Sequence, residues 1–329
     1  MSSLPTFDDI LRASETLAGH AVRTPLIESP VLNERTGARV LLKFEGLQRT
    51  GSFKFRGAYN RVSRVNKEAF PGGVVACSSG NHAQGVAAAA RLFGHQAAIV
   101  MPTDAPRIKR ERTEALGAKI VPFDRMTENR EEITDHLAAE RHADVIPPYD
   151  DPFIIAGQGT GGLELVEQAE AIGAEIDIVL VPVGGGGLSA GVGLAISKLR
   201  PDAEIYGVEP AGFDDYGRSL TSGERQRNPS AGGSICDALL APEPGEMTFA
   251  INRSQLKGAF AVDDDAVRRA IAYAFTELKL VVEPGGVVGL AALLENMLPA
   301  TGKTIAIILS GANVDPDLHA EILTSVAGR

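Results

Sequence analysis

Short apolar runs alternate with amphipathic stretches along most of this chain, most regularly from residue 73 onward. Val74-Val75-Ala76-Cys77 reads as a short buried strand. The alanine-rich stretch from His82 to Phe93 reads as a helix closed by Gly94. Ala97 to Met101 is a strand ended by Pro102, and Arg107 to Leu116 a helix ended by Gly117. Lys119 to Val121 is a further strand, and Glu128 to Arg141 a charged helix. Apolar runs alternating with helices predict parallel strand–helix–strand units, about three of them between residues 73 and 148.

Pro147-Pro148-Tyr149-Asp150-Asp151-Pro152 then punctuates the chain. A second run of the same kind follows. Gly162 to Ala171 and Leu188 to Leu199 read as helices, and Asp177 to Val183 and Glu204 to Val208 as strands. Val267, Ala270, Ile271, Ala274 and Leu278 share one helical face, and Lys303 to Leu309 forms a last core strand. Upstream, Phe7 to Gly19 is an amphipathic helix and Val40 to Glu45 a strand. The pattern predicts an α/β protein with two doubly wound domains. The segment before residue 73 is too short for a sheet domain of its own. The small domain, 73–148, is therefore expected to be inserted in a large one made of 1–72 and 149–329.

Composition narrows the partners. A chain of 329 residues, 44% hydrophobic and 22% charged, can bury a proper core. A net charge of -10 argues against nucleic acid and against an anionic membrane surface, though a local pocket can oppose the global sign. Two cysteines, Cys77 and Cys236, are too few for a disulfide framework. No apolar run reaches membrane-span length, and Met1-Ser2-Ser3-Leu4-Pro5 lacks the basic and apolar regions of a signal peptide. A soluble cytoplasmic protein with a small-molecule partner is expected.

Four stretches carry candidate chemistry. In Thr50-Gly51-Ser52-Phe53-Lys54-Phe55-Arg56-Gly57-Ala58 a lysine sits between two phenylalanines. An ammonium held against aromatic surface loses hydration and its pKa falls, which suits Schiff-base chemistry with an aldehyde. The same residues also fit a surface lysine on a strand between core phenylalanines. Gly184-Gly185-Gly186-Gly187 joins a strand to a helix and forms a phosphate cradle. It also contains Gly185-x-Gly187-x-x-Ala190 with Glu209 on the next strand, so a nicotinamide oxidoreductase competes. Ser78-Ser79-Gly80-Asn81-His82 offers hydroxyls, an amide and free N–H groups to an anion, or else an ordinary helix cap. Ser310-Gly311-Ala312-Asn313 follows the last core strand. Open α/β sheets bind ligands at the carboxyl ends of their strands, so this clustering favours one shared site.

Taken together, these stretches resemble the fold-type II pyridoxal-phosphate enzymes (tryptophan synthase β-like), in the serine/threonine dehydratase, serine racemase and 3-hydroxyaspartate dehydratase branch. Lys43-Phe44-Glu45-Gly46-Leu47-Gln48, Ile155-Ala156-Gly157-Gln158-Gly159-Thr160, Val208-Glu209-Pro210 and Glu283-Pro284-Gly285-Gly286 extend the match from about residue 5 to the C-terminus. The resemblance implies that Lys54 carries pyridoxal phosphate and acts as the Cα base, with Phe53 against the cofactor ring. Gly184, Gly185, Gly186 and Gly187 would hold the phosphate, Asn81 the 3-hydroxyl, and Ser310 the pyridine nitrogen. Ser78, Ser79, Gly80 and His82 would form the substrate-carboxylate loop, and Ser79 matches the second acid/base of the racemases. Ala312 stands where the family usually has glycine, which would strain the backbone if φ there were positive.

Two further residue sets follow from the resemblance. Glu209, Asp215 and the carbonyl of Phe213 match a divalent-cation site for Mg²⁺, Ca²⁺ or Mn²⁺, against the reading of Asp214-Asp215 as a helix-start acidic pair. Arg130 matches an arginine that meets a second substrate carboxylate, against the reading of a solvated helix arginine paired with Glu131 or Glu128. The expected activity is an ammonia-lyase on a β-hydroxy amino acid (threonine, serine or 3-hydroxyaspartate), with an amino acid racemase as the alternative. Relatives of this kind are commonly homodimers.

Overall fold

The computed structural model describes residues 3–327 apart from Ser79 and Ala231. Six strands form the larger sheet, in the order Leu26–Glu28, Arg39–Phe44, Thr304–Leu309, Ile178–Pro182, Glu204–Pro210, Gly258–Val262. The first pair is antiparallel and the remaining pairs are parallel. Four parallel strands form the smaller sheet, in the order Lys119–Phe123, Ala97–Pro102, Val74–Cys77, Asp144–Val145. Strands buried on both faces read as continuous apolar runs, which is why their positions were plain in the sequence.

Alternate residues of each central strand feed opposite cores. Val40, Leu42, Ile305 and Ile307 pack on one side of the large sheet with the helix Pro284–Leu294. Leu41, Ala306 and Ile308 pack on the other side with the helix Gly187–Leu199. Pro284–Leu294 escaped the sequence reading because it is apolar all round and shows no amphipathic period. The helix expected from Gly162 in fact begins at Pro152, where the Asp151 side chain accepts from the backbone N–H of Phe153 and Ile154. Its glycine-rich first half hides the helical pattern.

Lys54 does not lie on a strand. It opens the helix Lys54–Val62, whose Phe55, Ala58, Tyr59 and Val62 share a core with Val74 and Ala76 of the smaller sheet. The opposite side of this helix is fastened by charge. Arg56 is 1% exposed, and its guanidinium donates to both oxygens of Glu45 (2.8 and 2.9 Å) and of Glu164 (2.8 and 2.8 Å). Lys43, also buried, donates to Glu164 at 2.7 Å and to Gln168 at 2.8 Å. Two cations and two carboxylates thus join the helix to the end of the strand Arg39–Phe44 and to the helix Pro152–Ala171. Among the described residues, no helix is long and apolar enough to cross a membrane.

Removing one partner from such a network strands a buried charge. Arg56→Leu should therefore cost about 3–5 kcal/mol of stability, read by urea unfolding followed by circular dichroism. A cost under about 1 kcal/mol would show that the network is not holding the helix.

Candidate active site

Lys54 is placed by its flanks. Ser52 bridges to Gly311, and the backbone N–H of Phe53 donates to the Ser310 carbonyl at 3.1 Å. The lysine stretch and the serine stretch are therefore sewn together. Lys54 Nζ donates to the Pro148 carbonyl at 2.6 Å and stands 5.3 Å from the centroid of the Phe53 ring. Among the described residues no carboxylate pairs with it. Burial lowers its pKa from 10.5 to about 8.

Across the cleft, Gly184 to Gly187 follow the strand Ile178–Pro182 and start the helix Gly187–Leu199. Among the described residues, nothing accepts a backbone hydrogen bond from these four amides. Gly186 has φ of 93°, and a Cβ on Gly185 would come within 2.3 Å of the Tyr149 ring, so both positions demand glycine. The carbonyls of the loop are held from behind. Thr248 Oγ1 donates to Gly185 O at 2.7 Å, and Asn252 Nδ2 donates to Gly186 O at 3.2 Å. That leaves the amides and the positive end of the helix to the cleft, an arrangement suited to a phosphate.

Ser310 lines the same cleft, and its hydroxyl has no protein partner among the described residues. The strain foreseen at Ala312 is absent, because that residue is not among those with positive φ. Asn81 opens the helix Asn81–Phe93, donates to Glu283 Oε1 at 2.5 Å and accepts from Asn313 at 2.9 Å. Ser78 lines the cleft, and its Oγ accepts from the Gly80 N–H at 3.0 Å. His82 is buried, with Nε2 at 2.9 Å from the Ile146 carbonyl. A carbonyl only accepts, so Nε2 carries the proton and Nδ1, which has no partner among the described residues, is bare. Burial, with the Lys54 charge nearby, lowers this histidine to about 3. Its side chain thus has no donor to offer a carboxylate, and what the segment can offer is its run of amides at the helix start. Ser79 lies outside the described residues.

Sequence reasoning missed Lys109. This lysine is 1% exposed and lines the cleft from the helix Arg107–Ala115. Its ammonium meets Asp237 at 2.8 Å and Glu283 at 2.8 Å. Burial alone would lower its pKa, but the two carboxylates hold it above its ordinary value. Burial in turn raises Glu283, against the pull of Lys109. Asp315 also accepts from the first amides of the same helix, at 3.2 Å from Arg107 and 2.9 Å from Ile108. Lys109 lies in a charged stretch that reads as solvated, so no sequence signal marks it. Glu283 was visible only as part of a motif without a role.

Arg130 reaches the cleft too, beside Cys77 and Tyr149, and its Nε donates to Glu131 Oε1 at 2.7 Å. Glu209 and Asp215 lie elsewhere, behind the glycine loop. Glu209 accepts from the amides of Tyr216 and Gly217 at 2.9 Å each and does not line the cleft, so it cannot serve a dinucleotide ribose there. Burial, then repulsion from Asp215, raises Glu209 to about 8, and burial raises Asp215 to about 6. Among the described residues Asp215 Oδ2 has no partner. Among the described residues no group of three or more His, Cys, Asp or Glu is placed to hold a metal.

A deprotonatable lysine, an aromatic wall, a loop of four glycine amides unpaired among the described residues and a hydroxyl lining the cleft suit a planar ligand with an aldehyde at one end and a phosphate at the other. Comparison with known proteins agrees. Residues 17–311 match the family profile described as pyridoxal-phosphate dependent enzyme. The chain is 42% identical to an L-threo-3-hydroxyaspartate ammonia-lyase of a Pseudomonas species, over 97% of this chain and 99% of that protein. The structure of a T.th. threonine deaminase is similar at a TM-score of 0.89 and 43% identity, covering 94% of this chain and 99% of that one. Maize serine racemase gives 0.91 at 35% identity, covering 99% of both.

The Lys54 amine should react with an acylating reagent in ligand-free protein with a midpoint near pH 8, read by peptide mass mapping across a pH series, because its neutral form prevails above its lowered pKa. A midpoint near 10.5, like that of a surface lysine, would show that the amine is hydrated.

Proposed function

Because the chain belongs to the family of pyridoxal-phosphate-dependent enzymes, we propose that it is an ammonia-lyase whose preferred substrate is 3-hydroxyaspartate. The lyase class is supported by two full-length relatives named L-threo-3-hydroxyaspartate ammonia-lyase, with serine racemases also among the full-length relatives, and none of these names supports the oxidoreductase reading of the glycine loop. The observation that carries the substrate is that Arg130 lines the same cleft as Lys54 and Gly184 to Gly187.

The cleft fits pyridoxal phosphate by the test of its own residues: a glycine cradle whose four amides are unpaired and which a Cβ would fill at Gly185, facing an enclosed lysine. Lys54 would bind the aldehyde, Gly184 to Gly187 the phosphate, Asn81 the 3-oxygen and Ser310 the ring nitrogen, with Phe53 against the ring. When bound, the cofactor supplies an electron sink for the pair freed at the substrate Cα. The amides at the start of the helix Asn81–Phe93 would hold the α-carboxylate, with Ser78 beside them and Gly80 at the turn. The guanidinium of Arg130 offers a fork for a second carboxylate. Lys54, freed as a neutral amine when the substrate's amine takes its place at the aldehyde, would take the proton from Cα. The Cα electrons then form the Cα=Cβ bond as Cβ–O breaks, and the hydroxyl leaves as water after taking up a proton. The enamine that is released hydrolyses to a 2-oxo acid and ammonia. A serine at the ring nitrogen donates a hydrogen bond without forcing protonation, which favours prompt expulsion of the β-hydroxyl over a long-lived carbanion. Closure of the smaller sheet over the substrate would exclude water, with Lys109 joining the two sides.

The racemase reading turns on a second acid/base at Ser79, which lies outside the described residues; the position of Arg130 at the cleft supports the lyase reading on a dicarboxylic substrate. We also assign Glu209, Asp215 and the Phe213 carbonyl to a divalent cation. Two buried carboxylates with raised pKa values and an unpartnered Asp215 Oδ2 support that set.

The direct test is release of 2-oxo acid and ammonia from L-serine, L-threonine and the 3-hydroxyaspartate stereoisomers. Hydroxyaspartate should lead in kcat/KM by about tenfold or more, worth ~1.4 kcal/mol, and Arg130→Ala should erase that lead. An equal or greater rate with threonine would return Arg130 to the solvated surface. Mg²⁺ should raise the thermal midpoint of the wild type by several degrees, for about 1–2 kcal/mol of linkage, and leave Asp215→Asn unmoved. An equal shift in both would place the cation elsewhere.

A further inference from the structure

Residues one apart on a helix do not face each other. Arg130 and Glu131 nonetheless meet at 2.7 Å in the first turn of the helix Arg130–Arg141. Arg130 keeps 37% of its side chain exposed and Glu131 67%, so the pair sits at the rim of the cleft and not in its floor. One donor of the guanidinium expected to hold a substrate carboxylate, Nε, is thus already engaged by a carboxylate of the protein.

The surroundings give that carboxylate a second place to go. Arg227 lines the same rim as Arg130 and Glu131, and its charge already acts on Glu131. Arg227 is 70% exposed and only loosely engaged, with Glu243 at 3.6 Å. The other arginine of the rim, Arg125, is held by Asp104 at 2.7 Å and is less free to change partner.

We propose that Glu131 is a specificity-determining residue: its carboxylate occupies Arg130 until the distal carboxylate of a dicarboxylic substrate displaces it, and Arg227 then receives it. The inference rests on the assignment of Arg130 to the substrate. The exchange is carboxylate for carboxylate, so Arg130 is never left without a counter-charge. A monocarboxylic substrate such as threonine leaves the pair in place and meets no competition. Glu131 therefore weakens dicarboxylate binding selectively. An exposed ion pair is a shallow well, so the effect is modest.

The test uses holoenzyme variants Glu131→Gln, Arg227→Ala, the double variant and Arg130→Ala. KM is measured for L-threo-3-hydroxyaspartate and L-threonine, and the inhibition constant for succinate, an unreactive dicarboxylate. In Glu131→Gln the ratio of hydroxyaspartate KM to threonine KM should fall about threefold, and succinate should tighten to a similar degree. In Arg227→Ala the ratio should rise about twofold, and that rise should vanish in the double variant. An unchanged ratio and unchanged succinate affinity in Glu131→Gln would overturn the proposal. So would a lowered thermal midpoint without a change in ratio, since that is the signature of a residue that merely favours the helix start. If Arg130→Ala removes the preference for hydroxyaspartate while Glu131→Gln behaves as wild type, the assignment of Arg130 survives and the role of Glu131 falls. If Arg130→Ala keeps the preference, both fall.

Discussion

The double fork of Arg56 is the contact on which the geometry of the site depends. A guanidinium out of water is tolerable only when its donors are met, and here two carboxylates meet them in pairs. Glu45 comes from the end of a central strand and Glu164 from the longest helix. Arg56 lies two residues past Lys54 on the same helix. With Arg56 fixed against both, the helix has one azimuth, and Lys54 can point only into the cleft. The apolar side of the helix then joins the smaller sheet. One short helix thus belongs to both halves of the molecule, with the reactive amine at its tip.

Charge in the cleft is sorted by need. Among the described residues Lys54 has no carboxylate beside it, and burial lowers its pKa. The lysine that must stay charged, Lys109, has two. The glycine loop uses neither, presenting amides that have no other acceptor among the described residues. This arrangement suits a protein of net charge -10, because oriented dipoles attract an anion without altering the global balance.

Much of this was legible in the chain. The central strands of both sheets stood out because a strand covered on both faces is a continuous apolar run. The strand-end clusters around Lys54, Asn81, Gly184 and Ser310 were legible as one site because sheets of this kind bind at those ends. Other parts were hidden for physical reasons. Pro284–Leu294 has no polar side to mark it as a helix. Lys54 looked like a strand residue because two phenylalanines flank it, yet only Phe55 enters the core of the smaller sheet. The ion cluster of Lys109, Asp237 and Glu283 joins positions far apart in the chain, and each of them alone looks like an ordinary surface charge. Glu131 was foreseen as a surface partner of Arg130, but its place at the cleft rim needed the fold.

The strand Arg39–Phe44 lies between Leu26–Glu28 and Thr304–Leu309, and Ser52 is pinned by Gly311. During synthesis, then, the segment that carries the reactive amine leaves the ribosome long before the segment that completes its surroundings. The first fifth of the chain must wait, unpaired along one edge, for nearly the last. Contacts of such long sequence separation form slowly. The enclosed setting of Lys54 is therefore assembled only once the late segment has joined, and a nascent chain exposes an ordinary, hydrated lysine at that position.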